Sequence, residues 1–261
     1  MNGAGNDFVL MDNRSGDLRL DAKTIERICD RHRGVGADGL LLVEPAANGA
    51  DFRMRYYNSD GGEAEMCGNG ARCFARYATR LAGARERVSF ETPAGVITAD
   101  FSGELVRINM STPRDLRLNE TLDVLGAQTE VNSVNTGVPH AVVFVDDLET
   151  VDVSRVGSAI RYHAHFAPKG TNVSFVKRLD SNTIAIRTYE RGVEGETLAC
   201  GTGVVACALI LHELHGVQPP IGVRVKGGDL LQVGFDKTAA GYGNVTLTGP
   251  ADFVFDGKIE I

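Results

Sequence analysis

Hydrophobic positions recur along this chain in two periods, and the switches between them predict its elements. Residues 7–12, 40–44 and 51–57 read as strands, the last setting Phe52, Met54 and Tyr56 against Arg53, Arg55 and Tyr57. Residues 21–33 read as a helix with Ile25, Ile28 and Cys29 on its apolar face, and Gly34 stops it. A second helix is predicted over 68–81, followed by strands at 88–92, 96–101 and 105–110 with turn residues between them. The order then repeats. Strands at 130–135 and 141–145 precede a helix at 153–163; strands at 173–176 and 183–189 precede a helix after Cys200; strands at 222–226, 230–235, 243–248 and 253–259 close the chain. Mostly antiparallel strands around one central helix per half describe an α+β lobe.

The two central helices differ in pattern. From Val204 to Leu211 no charged residue occurs, so that helix is apolar around its circumference and is expected to be buried on all sides, as in the middle of a closed sheet. In the other, Arg72, Arg76 and Arg80 recur every fourth residue and predict a polar stripe facing solvent or acidic partners.

Each central helix begins just after a cysteine. A charged, glycine-broken loop leads into Cys200-Gly-Thr-Gly203, and residues 58–66 lead into Cys67-Gly-Asn-Gly70. The separation, 200 − 67 = 133 residues, is close to half of the 261-residue chain. Gly36-Ala37-Asp38 matches Gly170-Thr171-Asn172 at an offset of 134, Gly5 matches Gly137 at 132, and Gly95 matches Gly228 at 133. An internal duplication follows as the expectation: two pseudo-symmetric lobes, residues 1–111 with a C-terminal strand at about 248–261, and residues 112–247. The stretch Ser111-Thr-Pro-Arg-Asp115 is the expected crossing, and a pseudo-twofold axis would let the two thiols face each other.

Composition narrows the setting. At 43% hydrophobic and 23% charged, 261 residues can bury one large core or two smaller ones. A net charge of −7 argues against nucleic acid or an anionic membrane as partner. No run of 18 uncharged apolar residues occurs and no basic-then-apolar segment follows Met1, so a cytoplasmic location is expected. Five cysteines, an odd number, read as reduced thiols rather than a disulfide framework.

Cys29, Cys73 and Cys207 fall inside helices and read as small buried hydrophobes. Cys67 and Cys200 are placed differently. The first N–H groups of a helix lack intrahelical partners and the helix dipole is positive there, which biases a thiol toward thiolate; the flanking glycines let a ligand approach the backbone. Structural zinc prefers closer cysteine pairs than 67/73 and 200/207 provide, and Gly68-Asn-Gly-Ala-Arg72 lacks the Gly-Lys-Ser/Thr ending of a phosphate loop. One catalytic cysteine with His140 would suggest acyl transfer but leaves the other thiol idle. Two thiols, one taking a proton from a carbon and one returning a proton from the opposite face, would invert a stereocentre. Asn6, Asn58 and Asn172 alone read as turn residues or as donor–acceptor groups, while Arg191 can grip a carboxylate.

With these motifs assembled, the chain resembles the diaminopimelate epimerases. The matching text is Gly3-Ala-Gly-Asn-Asp-Phe8, Gly34-Val-Gly-Ala-Asp-Gly39, Asn58-Ser-Asp-Gly61, Met66-Cys-Gly-Asn-Gly-Ala-Arg-Cys73, Gly137-Val-Pro-His140, Gly170-Thr-Asn-Val173, Glu190-Arg-Gly192 and Ala199-Cys-Gly-Thr-Gly203. The resemblance implies a cofactor-independent, metal-free isomerase of lysine and peptidoglycan precursor biosynthesis that interconverts LL- and meso-diaminopimelate between two such lobes. It implies Cys67 and Cys200 as the acid and base. Asn6, Asn58, Asn172, Glu190 and Arg191 would hold the distal amino and carboxylate groups, and Gly68-Asn69 with Gly201-Thr202 would receive the carboxylate of the reacting centre. His140 and Glu190 would set the protonation of the thiols. The partner is then a small amino acid, and a homodimer is compatible with the sequence.

Two positions depart from the pattern, Val138 where some members carry a substrate-contacting Asn and Gly39 where some carry Gln. The chain starts almost on the Gly-Ala-Gly-Asn motif, shorter than the expected first strand. A racemase of the same fold for another amino acid and a non-catalytic amino-acid-binding protein are the alternative readings.

Overall fold

A computed structural model describes residues 1–64 and 66–260; Glu65, in the stretch before Cys67, and Ile261, the end of the strand expected at 248–261, lie outside the described residues. The chain divides into two units, Met1–Asn109 with Gly249–Ile261, and Met110–Thr248.

In the first unit β1 (Asn2–Gly3) turns back onto β2 (Asn6–Asp12), α1 (Ala22–Cys29) follows, and β3 (Gly39–Glu44) returns parallel to β2. β4 (Phe52–Asn58) runs antiparallel to β3 and pairs with the short β5 (Glu63–Ala64). After α2 (Gly68–Ala82), β6 (Arg87–Thr92) lies parallel to β4, and β7 (Gly95–Ser102) and β8 (Leu105–Asn109) extend an antiparallel meander.

The second unit opens with a hairpin of β9 (Arg114–Val124) and β10 (Ala127–Asn135). β11 (Pro139–Phe144), α3 (Val153–Arg161) and β12 (Asn172–Arg178) repeat the parallel unit, and β13 (Thr183–Glu190) pairs antiparallel with β12 and with β14 (Gly195–Thr197). After α4 (Gly201–His215), β15 (Ile221–Arg224) lies parallel to β13, and β16 (Leu230–Thr238) and β17 (Gly241–Pro250) form the second meander. Pairing for pairing, β10 to β17 reproduce β1 to β8, so the duplication read from the offsets is present in the backbone. The matched turns agree as well: Gly5 and Gly137 have φ of 99° and 112°, Gly36 and Gly170 have 81° and 66°, a region costly for any residue with a Cβ.

Each central helix is packed by its own unit's strands. α2 lies against β1 to β4 and β6 to β8, with the Phe74 and Phe90 rings 4.7 Å apart. α4 lies against β10, β11, β12, β15 and β16, and every residue from Val204 to Leu211 is at most 1% exposed, as its unbroken apolar circumference requires. Val204, Val205, Leu209, Ile210 and Leu211, at about 1.5–3 kcal/mol each, contribute on the order of 10 kcal/mol of burial.

Four expectations are corrected. α1 stops at Cys29 rather than Arg33, because the Asp30 carboxylate accepts the His32 and Arg33 N–H groups and turns the chain. β9 has no counterpart in the predicted elements: Leu116, Leu118, Leu122 and Val124 alternate with exposed residues, but Glu120 interrupts the apolar series, and positive φ at Asp115 and Asn119 accompanies register shifts against β10. Residues 253–259 form no strand. Among the described residues beyond β17 there is a single bridge, Asp252 to Asn2, and side chains hold the tail instead, through the Arg80–Asp256 ion pair at 2.9 Å and Arg80 over the Phe253 ring at 4.9 Å. Finally, Arg72 does not face solvent; it is fully buried, Arg76 is half-buried and Arg80 is exposed.

Candidate active site

The four helices start in two different ways. α1 and α3 carry aspartate caps: Asp21 accepts from Thr24 N–H at 2.8 Å and Asp152 from Arg155 N–H at 3.0 Å. α2 and α4 start at Cys67 and Cys200, both extended at the cap position, with no side-chain cap. A cap stabilises a helix by about 1 kcal/mol, and its N–H groups are otherwise available to an anion. The two central helices forgo that stabilisation and begin instead with Gly68-Asn69-Gly70 and Gly201-Thr202-Gly203.

Around the start of α2, Cys67 is half-buried and Asn69 buried. The Asn69 amide donates to Asn6 Oδ1 at 2.7 Å, and Asn6 donates to Asp38 Oδ2 at 2.8 Å. Arg31 grips Asp7 with both terminal nitrogens at 2.8 Å and reaches Asp38 at 2.9 Å. Burial alone would raise the Asp7 carboxyl, but the Arg31 guanidinium and the Asp38 N–H outweigh it and hold the group below the usual carboxylate range. Arg72 closes the other end of this chain by donating to Asn69 Oδ1 at 2.9 Å. Asn58 sits exposed at the end of β4, where its carbonyl accepts from Gly61 N–H and the adjacent Ser59 N–H donates to the Asp38 carbonyl. Asp38, Arg31 and Arg72 were absent from the residues expected at the site; Asp38 and Arg72 lie within quoted motifs, the signal that could have found them, and Arg31 lies in none.

Around the start of α4, Cys200 is 7% exposed and its Sγ lies 3.5 Å from Thr202 Oγ1. The same hydroxyl meets His140 Nε2 at 2.9 Å, and Thr136 Oγ1 donates to the Thr202 carbonyl at 2.9 Å. Thr202 therefore links the imidazole to the thiol, a bridging role the sequence does not suggest, and Thr136 supports it. Burial, reinforced by the charge of Arg191, pushes His140 down to about 3, so the ring is neutral; its Nδ1 has no hydrogen-bond partner among the described residues. Asn172, in register with His140 across the parallel β11–β12 pair, donates to the Pro139 carbonyl at 3.1 Å and accepts from the Arg191 N–H at 2.8 Å. Asn172 thus fixes the backbone that carries Glu190 and Arg191, both half-buried at and just beyond the end of β13.

Cys29, Cys73 and Cys207 are packing residues. Burial pushes them up to about 11, about 12 and about 12, and a protonated thiol is neither nucleophile nor base. Of the departures, Val138 is half-buried, and Gly39 has no room for a side chain: a Cβ there would sit 2.5 Å from the Tyr57 carbonyl oxygen. The open depression at the far end of α4, lined by residues including Lys177, Arg178 and His215, contains none of the expected site residues. Among the described residues no group of three or more His, Cys, Asp or Glu is arranged to hold a metal, and no helix is long and apolar enough to cross a membrane.

Comparison with known proteins places this geometry. The family model described as diaminopimelate epimerase matches residues 1–114 and 132–254. The diaminopimelate epimerase of Aquifex aeolicus is 43% identical over all of this chain and 96% of its own length, and that of Chlorobaculum tepidum is 42% identical over the full length of both. Among solved structures, a phenazine biosynthesis protein of the PhzF family from Bacillus anthracis superposes with a TM-score of 0.76 at 17% identity, covering 100% of this chain and 95% of that one. A hydroxyproline epimerase from Agrobacterium vitis gives 0.64 at 20% identity, covering 86% and 76%. These two likenesses show the shared fold.

Proposed function

The chain belongs to the diaminopimelate epimerase family, and from that premise we propose that it interconverts LL- and meso-diaminopimelate, with Cys67 and Cys200 as the paired base and acid. The observation that carries the reading is the twin start of the central helices: of four helices in the described residues, the two without a cap are the two that begin at a cysteine.

The α-proton of an amino acid is very weakly acidic, so the reaction needs negative charge stabilised as the proton leaves. First-turn N–H groups at 68–70 and 201–203 supply fixed positive potential for the α-carboxylate and the charge developing beside it. Each helix end contributes about 1–2 kcal/mol in a partly buried setting. One cysteine, as thiolate, takes the α-proton; the other, as thiol, returns a proton to the opposite face of the same carbon. The roles exchange for the reverse substrate, so each turnover leaves the pair ready for the opposite direction. Asn6, Asn58, Asn172, Glu190 and Arg191 hold the distal amino and carboxylate groups, whose charges they complement.

The test is epimerisation of LL-diaminopimelate in D2O, following meso product and α-deuterium together. Cys67→Ala and Cys200→Ala should each lower kcat at least about a hundredfold, the scale of one lost acid or base. Full epimerisation by either variant would overturn the two-base scheme. Oxidation should also inactivate reversibly by joining Cys67 to Cys200; peptide mass spectrometry that found other pairings in the inactive protein would count against it.

A further inference from the structure

The turn that carries Glu190 and Arg191 is held in a strained form. It joins β13 to β14, and Glu194 has φ of 56°, a left-handed conformation that a residue with a Cβ keeps only where its surroundings impose it. Within the turn the Glu194 N–H donates to the Glu190 carbonyl at 2.8 Å, and the Gly192 N–H donates to Glu194 Oε1 at 3.0 Å. The same oxygen accepts from Arg161, by Nε at 3.3 Å and Nη2 at 3.0 Å, while the Tyr189 hydroxyl lies 3.4 Å from Oε2.

Arg161 is the last residue of α3, and its side chain is 12% exposed. Its guanidinium covers the Tyr162 ring at 4.6 Å and donates through Nη1 to the Lys169 carbonyl at 3.2 Å. Gly170, next in the chain, is pressed so closely against it that a Cβ would overlap Nη1. Two residues on stands Asn172, which accepts from the Arg191 N–H. One guanidinium therefore fastens both segments, 169–172 and 190–194. The first unit uses a similar device: Arg31, just past α1, lies against Gly36, the counterpart of Gly170, and bonds Asp38, the counterpart of Asn172.

We propose that Arg161 is a positioning residue for the distal end of the substrate: with Glu194 it ties the 190–194 turn to the 169–172 segment, so that Asn172, Glu190 and Arg191 form their grip before substrate arrives. The inference rests on reading those three as the distal-group contacts. Arginine suits the task because its planar fork serves a carboxylate and a carbonyl at once, which the compact ammonium of a lysine does with less direction. Its effect falls on binding rather than on proton transfer, because the substrate that does bind selects the formed turn.

A turn formed one tenth of the time lowers apparent affinity tenfold and leaves the bound complex unchanged, so Arg161→Met should raise KM for LL-diaminopimelate about tenfold and change kcat less than about threefold. Glu194→Asn, which tolerates positive φ but withdraws the acceptor, should shift KM in the same direction. The double variant should match Arg161→Met within about twofold, because the two side chains act as one link. Trypsin without substrate gives a reading independent of activity. Cleavage after Arg191, followed by peptide mass spectrometry, should quicken about tenfold in either variant relative to cleavage after Arg178, an exposed residue at the end of β12. Unchanged cleavage at Arg191, equal acceleration at both arginines, an unchanged KM, or multiplying effects in the double variant would each overturn the proposal. Should Arg161→Met fail to fold, Glu194→Asn, altered on an exposed turn, decides by the same KM and trypsin readings. Wild-type protein that places no deuterium in diaminopimelate would instead refute the epimerase reading, which the trypsin comparison does not touch.

Discussion

The starts of α2 and α4 share a backbone and almost nothing else. Both open on an extended cysteine, both continue Gly-x-Gly, and neither has a side-chain cap. Behind Cys67, however, stands a buried guanidinium tied to four oxygens, whereas the matching place behind Cys200 is a valine, and Thr202 links the thiol to an imidazole that burial keeps neutral. The repeat preserves the uncapped helix start in both units, because it is set by main-chain geometry. It left the side chains around the two cysteines free to diverge.

The most damaging way to challenge this asymmetry is to impose the first unit's solution on the second. Val205→Arg would bury a cation among apolar neighbours, without the carbonyl cage that β1 and the 249–250 segment provide around Arg72. A penalty of several kcal/mol is expected for an unpaired buried ion, enough to abolish cooperative unfolding of a marginally stable protein. Thermal unfolding followed by circular dichroism checks it. A folded Val205→Arg protein within a few degrees of wild type would mean that the second unit already holds a latent cation site.

His140 gives the next largest effect, through pH. Its folded value of about 3 lies below the ordinary 6.5, so the neutral ring stabilises the native state fully above pH 6.5. As pH falls from 6.5 toward 3 the unfolded chain takes up a proton that the native state refuses, and that stability is progressively lost. His140→Gln, which keeps a partner for Thr202, should flatten the fall in unfolding temperature between pH 7.5 and pH 5. Parallel curves for wild type and variant would contradict a neutral buried ring. Thr202→Val ranks below it: removing the hydroxyl leaves His140 Nε2 buried without its partner, at about 1–3 kcal/mol.

The sequence showed the half of this comparison that is local. Glycines at a constant offset, a cysteine before each helix and an uncharged run over residues 204–211 are one-dimensional patterns, and each has its counterpart in the fold. The position of Arg72 was not readable, because a charge recurring every fourth residue looks like a solvent stripe. Its cage joins Gly3, Gly68, Asn69 and Pro250, and the last is 178 residues away. β9 escaped because Glu120 interrupts its apolar series between Leu118 and Leu122. Thr202 as the bridge from His140 to Cys200 depends on β11 passing the start of α4, a contact no motif records.

The smallest effect tests how closely each half-site is packed. Gly70 and Gly203 both sit in a first helical turn, where replacing glycine by alanine gains about 0.5–1 kcal/mol of helix propensity. At Gly70 an added Cβ would meet the Phe8 ring at 3.4 Å and Cys67 Cβ at 3.5 Å, ordinary contact distances, so Gly70→Ala should raise stability by a few tenths of a kcal/mol or more. At Gly203 the same Cβ would press on Ser174 Oγ at 3.2 Å and His140 Cε1 at 3.3 Å. Both are buried and tied by their own hydrogen bonds, His140 to Thr202 and Ser174 to Thr188, so they yield only by straining those bonds. Gly203→Ala should therefore lose the propensity gain and destabilise slightly, and it should slow turnover more than Gly70→Ala because the imidazole it displaces is held to the Thr202 hydroxyl that touches Cys200. Denaturant midpoints and kcat for the two variants, measured side by side, decide the matter: equal shifts would mean that the second half-site is as loosely packed as the first.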